Sequence, residues 1–155
     1  MSAILGIISD THGLLRPQAL DALRDSDLII HAGDVGDPKI LEQLGFIAPV
    51  YAVRGNVDRD DWASTLPLRE TVKAGDFLFY VLHDLHDIDL DPKFSEISIV
   101  ITGHTHRPHE YWKEDVLYIN PGSAGPKRFD LPITVARLEL HKTPWQVEFI
   151  DLAKK

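Results

Sequence analysis

The chain reads as an α/β protein of two packed mixed sheets with helices outside, and three observations predict this. Its first third alternates continuous apolar runs with helical stretches, the remainder alternates apolar runs with short turns, and no repeat, low-complexity tract or linker interrupts the 155 residues. Continuous apolar strands separated by helices are the pattern of a parallel sheet buried on both faces. Strands separated by a few turn residues pair as hairpins. A chain of this length is most simply one domain, residues 1–155, large enough to bury a real core.

Each element can be justified in order. Ile4–Ser9 is a continuous apolar strand, and "SDTHG" follows it. Pro17–Leu23 reads as a helix, with proline near its start, where the missing N–H costs nothing. Leu28–His31 is a second buried strand, followed by "AGDVGD" and a helical stretch from Pro38 to Leu44. Val50–Val53 is the third, running into "RGNVDRDD". Beyond it, Glu70–Lys73 and Phe77–Leu82, split by "AGD", form a hairpin. Ile97–Thr102 is a further buried strand. "HEYWKEDVLYIN" reads as a hairpin turning at Lys113–Asp115, and "TVARLELHKTPWQVEFIDL" as another. The packing expected of these elements is two sheets face to face.

Composition narrows the function classes. Hydrophobic residues make up 44% and charged residues 26%, a soluble globular profile. The formal net charge of -8, from 24 acidic and 16 basic side chains, repels nucleic acid and anionic membrane, so neither is a default partner. An anionic substrate would need a local reversal of that field, which bound cations can supply. With no cysteine, thiolate zinc sites, disulfides and cysteine nucleophiles are excluded. The N-terminus lacks the basic region of a signal peptide, and no apolar run approaches the roughly 20 residues of a membrane span. A cytoplasmic location is expected.

The polar chemistry gathers just after predicted strands: Asp10 and His12, Asp34, Asn56, His83 and His86, then His104 and His106 in "GHTH". Carboxyl ends of strands form the ligand crevice of open α/β sheets. In an extended segment His104 and His106 would point the same way. Taken singly, each residue has a plain alternative. Asp34 could cap the helix at Pro38. Asn56 could be a turn residue in left-handed geometry, and His83 a hydrogen-bonded, half-buried histidine. The conjunction weighs against chance, because five of the eight histidines fall in these loops. Carboxylate, amide and imidazole without thiolate suit Mn²⁺, Fe²⁺, Ni²⁺ or Zn²⁺ better than Ca²⁺ or Mg²⁺. His31 reads equally as a packing residue or a support for these loops; His109, His141, "DIDLDP" and "DRDD" read as solvated.

In these blocks, "DTH", "GD", "GN", "LHD" and "GHTH" in that order, the sequence resembles the calcineurin-like metallophosphoesterase superfamily. With "NPGS" at Asn120–Ser123 it is similar to that superfamily's small bacterial and archaeal phosphodiesterase branch with a Vps29-like fold. The resemblance implies a four-layer αββα sandwich. It also implies a phosphodiesterase that uses two divalent transition metal ions, Mn²⁺ favoured and Ni²⁺, Fe²⁺ or Zn²⁺ admissible, on a small phosphate ester. Two such ions activate a bridging water and hold the ester for in-line attack. Asp10, His12 and His106 would hold one metal, and Asn56, His83 and His104 the other, with Asp34 shared. Asp34, Asn56 and His104 are also the expected catalytic residues. His86 is the alternative to His83. Many members carry a proton-donating histidine after Gly-Asn; here that position is Val57, and a neighbour such as Asp58 is a candidate donor. Arg128 is a candidate phosphate clamp, or equally a surface arginine. The rival reading is a metal-poor, Vps29-like protein-binding scaffold.

Overall fold

Three short apolar strands, β1 (Ile4–Ile8), β2 (Leu28–His31) and β3 (Val50–Ala52), run parallel and are joined through helices α1 (Pro17–Ala22) and α2 (Pro38–Gly45). They belong to the first of two five-stranded sheets in a computed structural model that describes residues 3–153. On the other flank of β1 lie β9 (Thr134–Glu139) and β10 (Glu148–Asp151), both in antiparallel pairings, giving the order β10-β9-β1-β2-β3. The second sheet contains β4 (Arg69–Ala74), β5 (Phe77–Leu82), β6 (Ile99–Ile101), β7 (His109–Lys113) and β8 (Val116–Asn120), ordered β4-β5-β6-β8-β7. In it β5, β6 and β8 are parallel and the two hairpins antiparallel, so both sheets are mixed.

The two-residue period of the strands divides the apolar residues among three cores. Leu5, Ile7 and Ile30 of the first sheet meet Phe79, Val81, Ile99 and Leu117 of the second between the sheets. Ile8, Ile29 and Val135 face the other way and are covered by Ala19 and Leu23 near α1 and Ile40 and Leu44 of α2. Asp37 caps α2, its carboxylate accepting from the Lys39 N–H at 2.9 Å, with Pro38 as the first helical residue. The cap is therefore Asp37, and Asp34 is free for other work.

The outer face of the second sheet is covered without an α-helix. Tyr80, Leu82, Val100 and Val116 pack under Leu85, Ile88, Leu90 and Ile97 of the β5–β6 crossover. That segment holds only a 3₁₀ turn, Leu85–Asp87. Two loops read as solvated are corrected here. In "DIDLDP" the aspartates Asp87, Asp89 and Asp91 are exposed, while Ile88 and Leu90 pack inward. In "DRDD" Asp58 is buried and accepts from the backbone N–H of Val35, Gly36 and Gly55. A carboxylate so occupied stitches two loops together and is not placed to deliver a proton. None of the helices among the described residues is long and apolar enough to cross a membrane.

Candidate metal centre

The loops after five parallel strands meet at one place. Asp10 and His12 follow β1, Asp34 follows β2, Asn56 follows β3, His83 follows β5, and His104 and His106 follow β6. Backbone hydrogen bonds hold the loops to each other. Asp10 N–H donates to Gly33 O at 3.0 Å and His12 N–H to Asp34 O at 2.9 Å. Gly103 N–H donates to His83 O at 2.9 Å, which joins the loops of the second sheet.

The side chains converge through local backbone geometry. Asp10, His12, Asp34, His104 and His106 all have positive φ, between 47° and 75°. Aspartate and histidine enter this left-handed region more readily than most residues, yet each instance costs about 1 kcal/mol or more. His104 and His106 thus do not share a direction by lying in an extended segment. The left-handed turns send His106 toward Asp10 and His104 toward His83, into two separate groups.

Asp10, His12 and His106 form the first group, and Asp34, His83 and His104 the second, with ligand atoms in each within 4.8 Å of one another. His106 Nε2 lies 3.3 Å and His12 Nε2 3.7 Å from Asp10 Oδ1. Asp34 Oδ2 stands 3.1 Å from His83 Nε2 and 3.7 Å from His12 Nε2, so it touches both groups. Each carboxylate spends its other oxygen on the protein. Asp10 Oδ2 accepts from Ser9 Oγ at 2.7 Å and from His104 N–H at 3.0 Å. Asp34 Oδ1 accepts from Val57 N–H at 3.0 Å. His83 Nδ1 donates to Ala32 O at 2.8 Å, leaving the Nε2 lone pair turned inward. Two glycines allow the crowding. A Cβ on Gly55 would lie 2.1 Å from Asp34 Oδ1, and one on Gly103 would lie 2.1 Å from Ser9 Oγ.

The electrostatics describe a site short of positive charge. Burial would raise the Asp10 carboxyl, but the imidazoles of His106, His12 and His83 around it hold it well below the usual carboxylate range. Asp34 is likewise lowered, because His83 and the Val57 N–H outweigh its burial. Burial alone would depress the His83 imidazole. The hydrogen bond to Asp34 and the charges of Asp10 and Asp34 instead lift it to about 8. Buried Asp10 Oδ1 and His12 Nε2 have no hydrogen-bond partner. Such orphaned groups are costly unless something else satisfies them. Carboxylate and imidazole donors in this arrangement fit divalent transition metals.

The remaining expected residues fall less centrally. Asn56 is exposed and outside the left-handed region; it lines a depression of about 160 Å³ shared with His83 and His104. The His86 side chain is 93% exposed and holds onto Asp84. Arg128 is exposed in the loop before Ile133, and none of the polar contacts among the described residues ties it to the cluster. Several supporting roles emerge only in the structure. His31 is fully buried and held neutral, its pKa pushed down to about 4 by burial. Gly33 N–H donates to its Nδ1, so Nε2–H donates to Thr11 Oγ1 at 3.0 Å, and Thr11 in turn donates to Val35 O. Asn120 donates to Gly103 O and Thr105 Oγ1, and Ser123 to Asp10 O, so "NPGS" fastens the ligand loops from behind. Arg54, half-buried, lines the depression beside Asn56 and has no side-chain hydrogen bond or ion pair among the described residues.

This fold and this set of loops define a metallophosphoesterase: the chain belongs to the calcineurin-like phosphoesterase superfamily, whose domain model matches residues 4–143. A probable metallophosphoesterase of Methanothermobacter thermautotrophicus is 35% identical over 152 residues, covering 90% of this chain and 88% of the relative. A solved structure described as a novel archaeal phosphodiesterase superposes with a TM-score of 0.78 at 25% identity, covering 95% of this chain and 99% of the other. Chaetomium thermophilum Vps29 shares the fold, with a TM-score of 0.75 at 18% identity over 96% of this chain and 97% of its own.

Proposed function

We propose that the chain is a metal-dependent phosphodiesterase with two metal positions that share Asp34. Asp10, His12 and His106 hold one position; Asn56, His83 and His104 hold the other. The observation that carries this reading is the position of Asp34 Oδ2, within 3.7 Å of an imidazole nitrogen from each group. Divalent metals held there, with manganese favoured, supply an activated water and offset the charge of a phosphate ester.

The chain's own residues do the positioning. Ser9 and the His104 N–H aim Asp10, the Val57 N–H aims Asp34, and the Ala32 carbonyl sets the His83 tautomer. His104, with its side chain 43% exposed, is the imidazole open to a bound ester and can hydrogen-bond a phosphate oxygen. Arg54 takes the role of phosphate clamp. Val57, 46% exposed, offers the leaving group no proton. Diesters are therefore preferred to monoesters, whose dianion brings extra charge to a site with few cations.

A screen of phosphate mono- and diesters on metal-reconstituted protein, paired with metal analysis of variants, tests the reading. Asp34→Asn should weaken both metals and His12→Ala mainly one. Two tightly held ions in Asp34→Asn would disprove the shared ligand, and no turnover of any ester by metal-saturated protein would disprove the activity.

A further inference from the structure

Beside the candidate metal centre lies a larger cavity, of about 660 Å³, that the chemistry above does not use. The two spaces share a wall residue. Asp84 lines both, with its Oδ2 3.7 Å from His104 Nε2, and Gly103 and Thr105, the chain neighbours of His104, form part of the larger wall. Its volume falls in the range of roughly 300–1,000 Å³ typical of small-molecule sites. The 160 Å³ depression at His83 and His104 is small beside it.

The lining selects a particular kind of occupant. Tyr111 and Tyr118 stand directly opposite each other on β7 and β8 and stack at 4.8 Å with their planes 6° apart. Leu85, Pro108, Leu131 and Pro132 add further apolar surface. Asn120, the amide in the wall, is already spent on Gly103 O, Thr105 Oγ1 and the Gly122 N–H. His86, Arg107 and His109 also line it but are exposed, so apart from Asp84, Thr102 and Asn120 the buried and half-buried part of the wall is mainly apolar. A flat, uncharged ring finds stacking surface and apolar walls.

We infer that this cavity receives an aromatic substituent, aryl or nucleobase, of the phosphodiester whose phosphate lies at the metal positions. The inference rests on the phosphodiesterase reading and specifies its substrate class. Stacking of a ring on an aromatic side chain is worth about five- to a hundredfold in affinity, enough to separate aromatic esters from small alkyl ones.

Benzyl(methyl)phosphinate and dimethylphosphinate test this without turnover, since their P–C bonds are not hydrolysed, each carries the single charge of a diester, and they differ only in the ring. Titration calorimetry on manganese-saturated protein should give the benzyl compound an affinity about tenfold or more higher. Tyr111→Leu should bring the ratio close to one. Leu131→Asp, a change in an irregular loop that leaves the sheet intact, should do the same by placing a charge in the wall. Binding of both compounds with a ratio near one in the unaltered protein would overturn the cavity assignment alone. So would a ratio unmoved by either substitution. Failure of both compounds to bind would remove the phosphodiesterase reading, and the cavity assignment with it.

Discussion

Replacing Asp34 by asparagine should flatten the pH dependence of the metal-free protein's stability, because much of that dependence runs through His83. The imidazole is 5% exposed, so solvent barely screens its carboxylate partners. Its rise from 6.5 to about 8 is roughly a thirtyfold gain in proton affinity on folding, worth about 2 kcal/mol. Because the folded value is the higher one, this stabilisation is complete below pH 6.5. It declines as pH rises and is gone above about pH 8. An asparagine amide keeps the shape but removes the charge and the strongest hydrogen bond that lift His83. Urea unfolding in the presence of a chelator, at pH 6 and pH 9, reads the effect. The parent protein should lose about 2 kcal/mol more than Asp34→Asn between the two. Equal losses, or a gain toward pH 9, would refute the argument. The same proton competes with metal for Nε2, so apparent affinity at the His83 position should climb about tenfold per pH unit up to pH 8.

Three further outcomes are expected. His83→Ala should abolish activity while His86→Ala retains most of it, since only His83 is turned into the cluster; paired assays on metal-saturated variants decide this. Val57→His should speed alkyl diesters more than aryl diesters, because only the alkoxide needs the proton, and a positioned acid is worth about 10²–10⁴-fold. Equal acceleration, read as kcat/KM, would show that protonation is not what limits turnover. Arg54→Ala should raise KM for diesters at least tenfold, the loss of a charge-assisted hydrogen bond worth about 1.5–3 kcal/mol, whereas Arg128→Ala should leave KM nearly unchanged.

The central strands β1, β2, β5 and β6 were legible because each is buried nearly throughout, which demands apolar residues without interruption. Their ends were less so. Ile97 reads as part of the sixth strand, yet its N–H bonds to Pro92 O and its side chain joins the outer core, so the sheet begins at Ile99. The cover of the second sheet's outer face is hidden for a related reason, since Ile88 and Leu90 alternate with aspartates and mimic a solvated loop. At the site, residue type was informative: carboxylates and imidazoles after strands rarely gather by chance. Their partition into two groups came only from the resemblance, because its geometric basis is left-handed backbone at Asp10, His12, Asp34, His104 and His106. Arg54 escaped notice because an arginine after a strand carries no signal until the absence of a partner is seen. The role of Asp58 was not legible because two of its three bonds go to backbone groups more than twenty residues away, and that of His31 stayed open because its partner Thr11 lies twenty residues earlier.

The fastening of the ligand loops by Asn120 and Ser123 has a consequence for when the protein can acquire metal. All the proposed ligands lie within the first 106 residues, but β1 waits for β9 to complete its pairing, and the loop after β1 waits for Ser123 and Ala124. During synthesis the ligands therefore emerge before the scaffold that aims them, as bare carboxylates and imidazoles on an unfinished sheet. Metal uptake becomes one of the last events in the birth of the molecule. A chain cut short after its final ligand would carry the full set of donor atoms and no place to hold an ion.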